Sequence, residues 1–205
     1  MRSLFTALLV ATGLAGMQPV PAAAEQKGVA IFAGGCFWCI EADFDRVPGV
    51  LETLSGYTGG TLPNPTYMQV VRKGTGHREA LRIVYDPETV TYEQLLTAFW
   101  RSIDPTDAGG QFCDRGEPYT TAVFVLDSEQ RRLAEATKAA AAEALGEKIA
   151  TTIEDAGEFY PAEDYHQDYH NKNPVKYGLY RWRCGRDAQV EAVWGEAAYE
   201  GIPAK

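Results

Sequence analysis

A short run of β-formers, Gly28 to Phe32 (GVAIF), leads directly into Gly34-Gly35-Cys36-Phe37-Trp38-Cys39. No other stretch constrains the chain as strongly. An apolar run of this length reads as a strand. Two consecutive glycines permit a tight turn and close backbone approach. Cys36 to Arg46 then reads as a helix that must stop before Pro48-Gly49. The chain therefore places a cysteine where a strand hands over to a helix. Free amide N–H groups and the positive end of the helix favour a thiolate there. Cys39 completes a Cys-x-x-Cys pair one helical turn on, within disulfide reach. A pair of buried structural thiols and a metal site are the competing readings. The second lacks another Cys-x-x-Cys pair and a nearby histidine.

The rest of the chain supplies the frame. Val50 to Tyr57 has strand character and stops at Gly59-Gly60, and Thr61 to Gly76 is loop-like. Arg78 to Tyr85 (REALRIVY) alternates and ends at Asp86-Pro87, as a strand does. Thr91 to Ile103 carries the apolar spacing of an amphipathic helix, with Thr91 as its cap. After a polar loop from Thr106 to Pro118, Thr121 to Leu126 (TAVFVL) reads as a buried strand. Ser128 is expected to cap an alanine-rich helix that Gly146 ends, and Lys148 to Ile153 is a further strand candidate. This order predicts an α/β (α+β two-layer) domain. Its mixed sheet has a ferredoxin-like split βαβ core with helices on its faces. From Asp155 the chain is rich in Tyr, His, Asn and Asp, and a long, coil-rich tail wrapping the domain is expected.

The N-terminus reads as an address. Met1-Arg2 is basic, Leu4 to Gly16 is mainly apolar, and Ala22-Ala23-Ala24 offers small residues for cleavage. The run is too short for a membrane span of about 20 residues. Residues 1–24 are thus expected to be a signal peptide, and residues 25–205 a single catalytic domain. The mature protein is expected to be exported, periplasmic or secreted, off the membrane after cleavage, and a monomer. Its formal charge of −9 argues against nucleic acid as a partner.

Several motifs together resemble the peptide methionine sulfoxide reductase A family. GGCFWC resembles the family's GCFW signature. Gly59-Gly60 with Asn64-Pro65 and Tyr67 resembles its glycine–Asn-Pro–Tyr loop, and Gly76-His77-Arg78-Glu79 its G-H-x-E strand. Asp104-Pro105-Thr106, Asp114-Arg115-Gly116 through Tyr119, and Tyr165-His166-Gln167 follow in the family's order. The resemblance spans Gly28 to Tyr180 and implies thiol-dependent reduction of methionine S-sulfoxide, free or in proteins.

That reaction needs a nucleophilic thiol, a proton donor for the leaving oxygen, and a second thiol that clears the first. The resemblance makes Cys36 the nucleophile and Glu79 the acid. Read alone, Glu79 is equally a solvent-facing residue on an alternating strand. Tyr67 and Tyr119 match the hydroxyls that hold the sulfoxide oxygen, and Asp114 a polar residue of the same site. Phe37 and Trp38 are candidates for an apolar wall against the substrate methyl. His166 belongs to a matching motif but has no chemical step assigned. Simpler members carry glycine where Cys39 stands and resolve with a cysteine near the C-terminus. Cys39, Cys113 and Cys184 are all candidates for the resolving thiol. Parity in an oxidising compartment favours Cys36–Cys39 as the catalytic pair, with Cys113–Cys184 structural or relaying. Cys184 in a flexible tail is the competing resolver. No metal, flavin or nicotinamide is implied; an external, thioredoxin-like dithiol is. A thioredoxin-like disulfide oxidoreductase built on Cys36-Cys39 and a non-catalytic binding module are the rival functions.

Overall fold

The computed structural model describes residues 27–204; the expected signal peptide lies outside them. Strand β1 (Gly28–Ala33) leads into helix α1 (Phe37–Phe44), then β2 (Val50–Thr58), a short α2 (Tyr67–Val71), β3 (Arg78–Tyr85) and α3 (Tyr92–Trp100). Two-residue strands β4 (Gly110–Gln111) and β5 (Asp114–Arg115) form a small hairpin before β6 (Ala122–Val125). Helix α4 (Ser128–Leu145), β7 (Thr152–Asp155) and β8 (Tyr160–Pro161) follow. The chain ends in α5 (Tyr169–Lys172), α6 (Pro174–Cys184) and α7 (Arg186–Trp194).

The main sheet has the order β7-β6-β1-β3-β2-β8. Strand β3 is antiparallel to both β1 and β2, and β1 is antiparallel to both β3 and β6. Strands β1 and β2 thus run parallel with β3 between them and α1 as their crossover. Strands β3 and β6 are related in the same way through α3. This is the split βαβ core that the element order predicts. Strand β7 extends it parallel to β6, and β8 caps the other edge antiparallel to β2.

Both faces of the sheet are covered. Phe32, Leu81, Ile83 and Val123 pack against Phe44, Leu95, Leu96 and Phe99 on the helix side. Ile31, Ala33, Ala80 and Phe124 turn to the other face, where Ala156 and Phe159 lie over them. The period of two along β1 accounts for this division. Thr91 caps α3 as expected, its side chain accepting the Gln94 N–H. For α4 the cap is Asp127, not Ser128, with its carboxylate accepting the Gln130 N–H at 2.8 Å. A carboxylate is the better acceptor at a helix N-terminus, because it also meets the helix dipole.

The tail departs from the coil-rich expectation. Residues 174–194 form two consecutive helices that wrap α1. Asp43 of α1 is wholly buried and pairs with Arg181 at 2.9 Å, while Arg186 of α7 lies 3.8 Å from it. Arg186 also donates to the carbonyls of Gly34 and Ser102 at 3.2 and 2.9 Å. Trp194 donates to the Ile103 carbonyl at 2.9 Å. Among the described residues, no helix is long and apolar enough to cross a membrane.

Candidate active site

The handover from β1 to α1 fixes the site. Gly35 has φ +84°, and a Cβ there would lie 2.6 Å from the Cβ of Gln111, so only glycine makes this turn. Gln111 cannot yield easily. Its Nε2 donates to the Asp104 carbonyl at 2.7 Å, and its Oε1 accepts the Asp104 N–H at 2.9 Å. The turn sets Cys36 as the N-cap of α1, its carbonyl accepting the Cys39 N–H at 3.0 Å. The Phe37 N–H donates to Glu79 Oε2 at 3.0 Å.

Glu79 comes from the start of β3, beside the end of β1. It is buried on the same face as Leu81, Ile83 and Tyr85, which belong to the core. The solvent-facing reading is thereby corrected: the alternation itself carries Glu79 inward. Burial pushes its carboxyl well above the usual range, against the opposing Phe37 N–H, and the nearby Asp114 adds to the rise. That rise favours the carboxylic acid, the form that can donate a proton.

Cys36, Phe37, Trp38, Tyr67, Glu79, Asp114, Tyr119 and Tyr180 enclose one small cavity of about 60 Å³. The sequence reading named all of these lining residues except Tyr180. The hydroxyls of Tyr67 and Tyr119 hydrogen-bond to each other. Burial and then the Glu79 charge push Tyr67 up to about 12, and Tyr119 rises for the same reasons. Both stay protonated donors at neutral pH. Tyr67 is held at the start of α2, its N–H donating to Glu163 Oε1 at 2.9 Å, and Glu163 Oε2 accepts the Tyr57 hydroxyl at 2.9 Å.

His166 finds its place here as a support. It is buried among the rings of Phe37, Trp38, Tyr67 and Tyr165. Its Nδ1 accepts the Trp38 indole N–H at 3.1 Å, which puts the ring proton on Nε2. Burial lowers its pKa, so the ring is neutral. Trp38 is also stacked on Tyr169, with ring centroids 3.8 Å apart. The indole at the cavity wall is thus held on two sides.

The cysteines divide into two pairs. Cys113 and Cys184 are joined by a disulfide, with Cα atoms 5.0 Å apart. Cys36 and Cys39 are free and buried, and their thiols hydrogen-bond to each other. Burial pushes the Cys36 thiol well above its ordinary value, and the hydrogen bond to Cys39 and the charges of Cys39, Glu79 and Asp114 add to that. The expected helix-start thiolate is therefore corrected: desolvation and acidic neighbours outweigh the helix end. Cys39 is lowered by the hydrogen bond from Cys36 and, against its own burial, by the cations Arg186 and Arg181. Cys184 does not sit in a flexible tail. It is buried at the end of α6, 4.0 Å from Asp114 Oδ2.

Tyr180 is the cavity residue that sequence reasoning missed. Its hydroxyl donates to Asp114 Oδ2. It lies four positions before Cys184, one helical turn, and that register is the signal that relates it to Asp114. Asp114 is pushed up by burial, which the Tyr180 hydrogen bond opposes. The arrangement can attack a compact electrophile with a thiol, bind its oxygen through phenols and protonate that oxygen from Glu79.

Comparison with known proteins agrees with this chemistry. Residues 28–198 match the family model described as peptide methionine sulfoxide reductase. The chain is 52% identical over 183 residues to "Peptide methionine sulfoxide reductase MsrA 2" of Rhizobium meliloti, covering 89% of this chain and 91% of that protein. It is 48% identical over 196 residues to a protein of the same name from Caulobacter vibrioides, covering 95% of this chain and all of the other. Among solved structures, it is similar to reduced Mxr1 of Saccharomyces cerevisiae, with TM-score 0.68, 31% identity, and 77% and 90% of the two chains covered. Methionine sulfoxide reductase A of Corynebacterium diphtheriae gives TM-score 0.65, 34% identity, and 73% and 76% coverage.

Proposed function

The chain belongs to the peptide methionine sulfoxide reductase A family, and we propose the roles by which its own residues reduce methionine S-sulfoxide to methionine. The enzyme is a peptide-methionine (S)-S-oxide reductase. The rival readings, a thioredoxin-like oxidoreductase and a binding module, are set aside by that membership.

The sulfoxide oxygen is held by the Tyr67 and Tyr119 hydroxyls, and the methyl group rests against Phe37 and Trp38. Cys36 attacks the sulfoxide sulfur while Glu79 gives its proton to the oxygen. The protonated oxygen passes from the substrate sulfur to Cys36 Sγ: the S–O bond to methionine and the new sulfur–sulfur bond both break, methionine leaves, and Cys36 carries the oxygen as a sulfenic acid. The proton lost by the Cys36 thiol restores Glu79. Asp114, fixed by Tyr180, orients the hydroxyl side of the cavity. Cys39 then attacks the sulfenic sulfur, water leaves, and a Cys36–Cys39 disulfide forms. An external thioredoxin-like dithiol restores both thiols. The observation that carries this reading is the meeting of Cys36, Glu79, Tyr67 and Tyr119 in one cavity, with Cys39 as the hydrogen-bonded neighbour of Cys36.

Export under a signal peptide at residues 1–24, with residues 25–205 as one catalytic domain, belongs to the same proposal. The Cys113–Cys184 disulfide supports it, since such bonds persist in oxidising compartments. One equivalent of methionine sulfoxide, followed by non-reducing mass spectrometry, tests the chemistry. The expected product is a Cys36–Cys39 linkage, with no turnover in Cys36→Ser. A first-formed Cys36–Cys184 or Cys36–Cys113 linkage overturns Cys39 as resolver.

A further inference from the structure

Helix α1 carries Cys39 and Asp43 four positions apart, so both side chains lie on one face of the helix. The tail helices set two buried guanidiniums against that face, Arg181 of α6 and Arg186 of α7. Arg181 Nη1 donates to the Cys39 carbonyl at 3.4 Å and pairs with Asp43 Oδ1 at 2.9 Å. Arg46 takes the same oxygen, also at 2.9 Å. Asp43 Oδ2 lies 3.8 Å from Arg186 Nε, too far for a hydrogen bond, and that buried Nε has no hydrogen-bond partner among the described residues. The rest of the Arg186 guanidinium is clamped. It donates to the carbonyls of Gly34 and Ser102, and its carbon lies 5.0 Å from the centre of the Phe112 ring.

The buried charges here do not balance. A guanidinium taken out of water needs an anion to offset its desolvation. Arg181 has two, Asp43 and the half-exposed Asp187 at 2.6 Å. For Arg186 the structure shows Asp43 Oδ2, an oxygen that Arg181 Nη2 also takes, at 3.3 Å. The group that can supply more negative charge stands one turn before Asp43, and it is Cys39. Burial lowers Arg186, yet it stands above its ordinary value, held up by charge on Cys39 first and on Asp43 second. The other groups that act on Cys39 bring no positive charge. Cys36 and Asp43 share α1 with it, Glu79 comes from β3, and Tyr177 and Tyr180 come from α6. Burial pushes both tyrosines up, so they stay uncharged. Beyond the hydrogen bond from Cys36, the two arginines are what favours an anion at Cys39.

We propose that Arg186, supported by Arg181, is a positioning residue that holds Cys39 as a thiolate beside Cys36, ready to resolve the sulfenic acid. The role rests on the reading of Cys39 as resolver. The thiolate is the attacking form of a cysteine. In this step the Cys39 sulfur gives an electron pair to Cys36 Sγ. The sulfur–sulfur bond forms, the Cys36 S–O bond breaks, and the oxygen takes the Glu79 proton and leaves as water. Cys39 is oxidised and the sulfenic sulfur is reduced, so no outside electron enters. Arginine suits the task because it keeps its charge at every pH the enzyme meets. Its two carbonyl contacts fix that charge beside the strand-to-helix turn, so the thiolate is stabilised without any movement of the tail.

The test uses the full mature enzyme carrying Cys36→Ser with the Cys113–Cys184 bond intact, which leaves Cys39 as the free thiol. Its ionisation is read from thiolate absorbance in the ultraviolet, below the pH at which tyrosines ionise. Arg186→Met is expected to move the midpoint up by about one pH unit or more, and Arg186→Lys to keep most of the parent's ionisation. Asp43→Asn is expected to move it down, since it removes an acid that opposes the thiolate. A midpoint unmoved by Arg186→Met, or moved as far by Arg186→Lys, overturns the proposal. An upward shift in Asp43→Asn does so too, and that variant decides the matter where Arg186→Met does not fold. With Cys36 restored, one equivalent of methionine sulfoxide and dimedone trapping follow the sulfenic acid. Its conversion to disulfide is expected to slow about threefold to tenfold in Arg186→Met at neutral pH, the smaller thiolate fraction outweighing the greater nucleophilicity of each thiolate. The deficit should close as pH rises. An equal deficit at every pH marks a merely structural role and overturns the proposal. Failure of the underlying reading shows separately, as absence of a Cys36–Cys39 bond in the unsubstituted enzyme after the same sulfoxide pulse.

Discussion

Glu79 shows how one side chain acquires a chemical role from its address. Its carboxyl sits at the start of β3, on the core face, bound by the first free amide of α1. Burial raises its pKa, so it holds a proton that a surface carboxylate would have lost. Glu79→Gln keeps the shape and removes the transferable proton. Sulfenic acid formation in a single turnover is expected to slow by roughly a hundredfold to a thousandfold. Substrate affinity should change little. The sign with pH follows: the wild-type rate falls as pH rises through the raised Glu79 pKa, and the variant lacks that limb. Equal losses in rate and affinity would remove Glu79 from the proton path. His166 permits a second test at this scale. His166→Ala deletes the acceptor that holds the Trp38 indole, a hydrogen bond worth about 1 kcal/mol. A rise in KM of about fivefold is expected, with partial rescue by His166→Gln; a loss confined to kcat would point to a chemical step instead. The site residues were legible because motif and alternation agree at Glu79. The raised pKa of Cys36 was not, since its burial and its nearness to Cys39, Glu79 and Asp114 are properties of the assembled cavity.

At the scale of elements, legibility follows the hydrophobic pattern. Strand β3 and helix α3 read correctly because their apolar residues face one core. Helix α6 reverses the rule: Arg181 is buried while Trp182 and Leu179 are exposed. A sequence reading that puts apolar residues inside sees no period there. Helix α1 hides the reason, because its buried Asp43 supplies the partner that lets arginine go inside. Glu41 is the other buried acid of α1, and it has a measurable cost. Burial, opposed by the Asp168 N–H, raises it to about 7 from an ordinary 4.5. A carboxyl whose folded pKa is raised contributes fully below its unfolded pKa, and stability falls as pH climbs to the folded value. The window is thus pH 4.5 to about 7. Each unit is worth about 1.4 kcal/mol, and partial hydration reduces the total to about 1–2 kcal/mol. Glu41→Gln is expected to match the parent at pH 4 and exceed it by that amount at pH 8 in urea unfolding. A constant difference across the range would show that packing, not ionisation, dominates.

Across the whole molecule, the tail is held both by a disulfide and by a buried ion cluster. The Cys113–Cys184 bond closes a separation of 71 residues, from the loop before β6 to the end of α6. Closure of a loop that long is worth about 4 kcal/mol through the unfolded chain. When the bond is reduced, another contact must keep α6 against α1. The buried cluster can do so: Asp43 meets Arg181 at 2.9 Å, and Arg181 also binds the Tyr177 hydroxyl at 2.9 Å and Asp187 at 2.6 Å. Removing the acid leaves Arg181 with only the half-exposed Asp187 as its carboxylate and takes from Arg186 its contact with Asp43, at a cost of up to about 3–5 kcal/mol. Asp43→Ala should therefore be tolerated with the disulfide intact and fail without it. In far-UV circular dichroism, the oxidised variant is expected to keep the parent's helicity. Under reductant it should lose signal equivalent to α6 and α7, while the reduced parent stays folded. Equal behaviour of parent and variant under reductant would mean that the apolar contacts of Tyr177, Val190 and Trp194 hold the tail alone, and that the ion cluster serves Cys39 rather than docking.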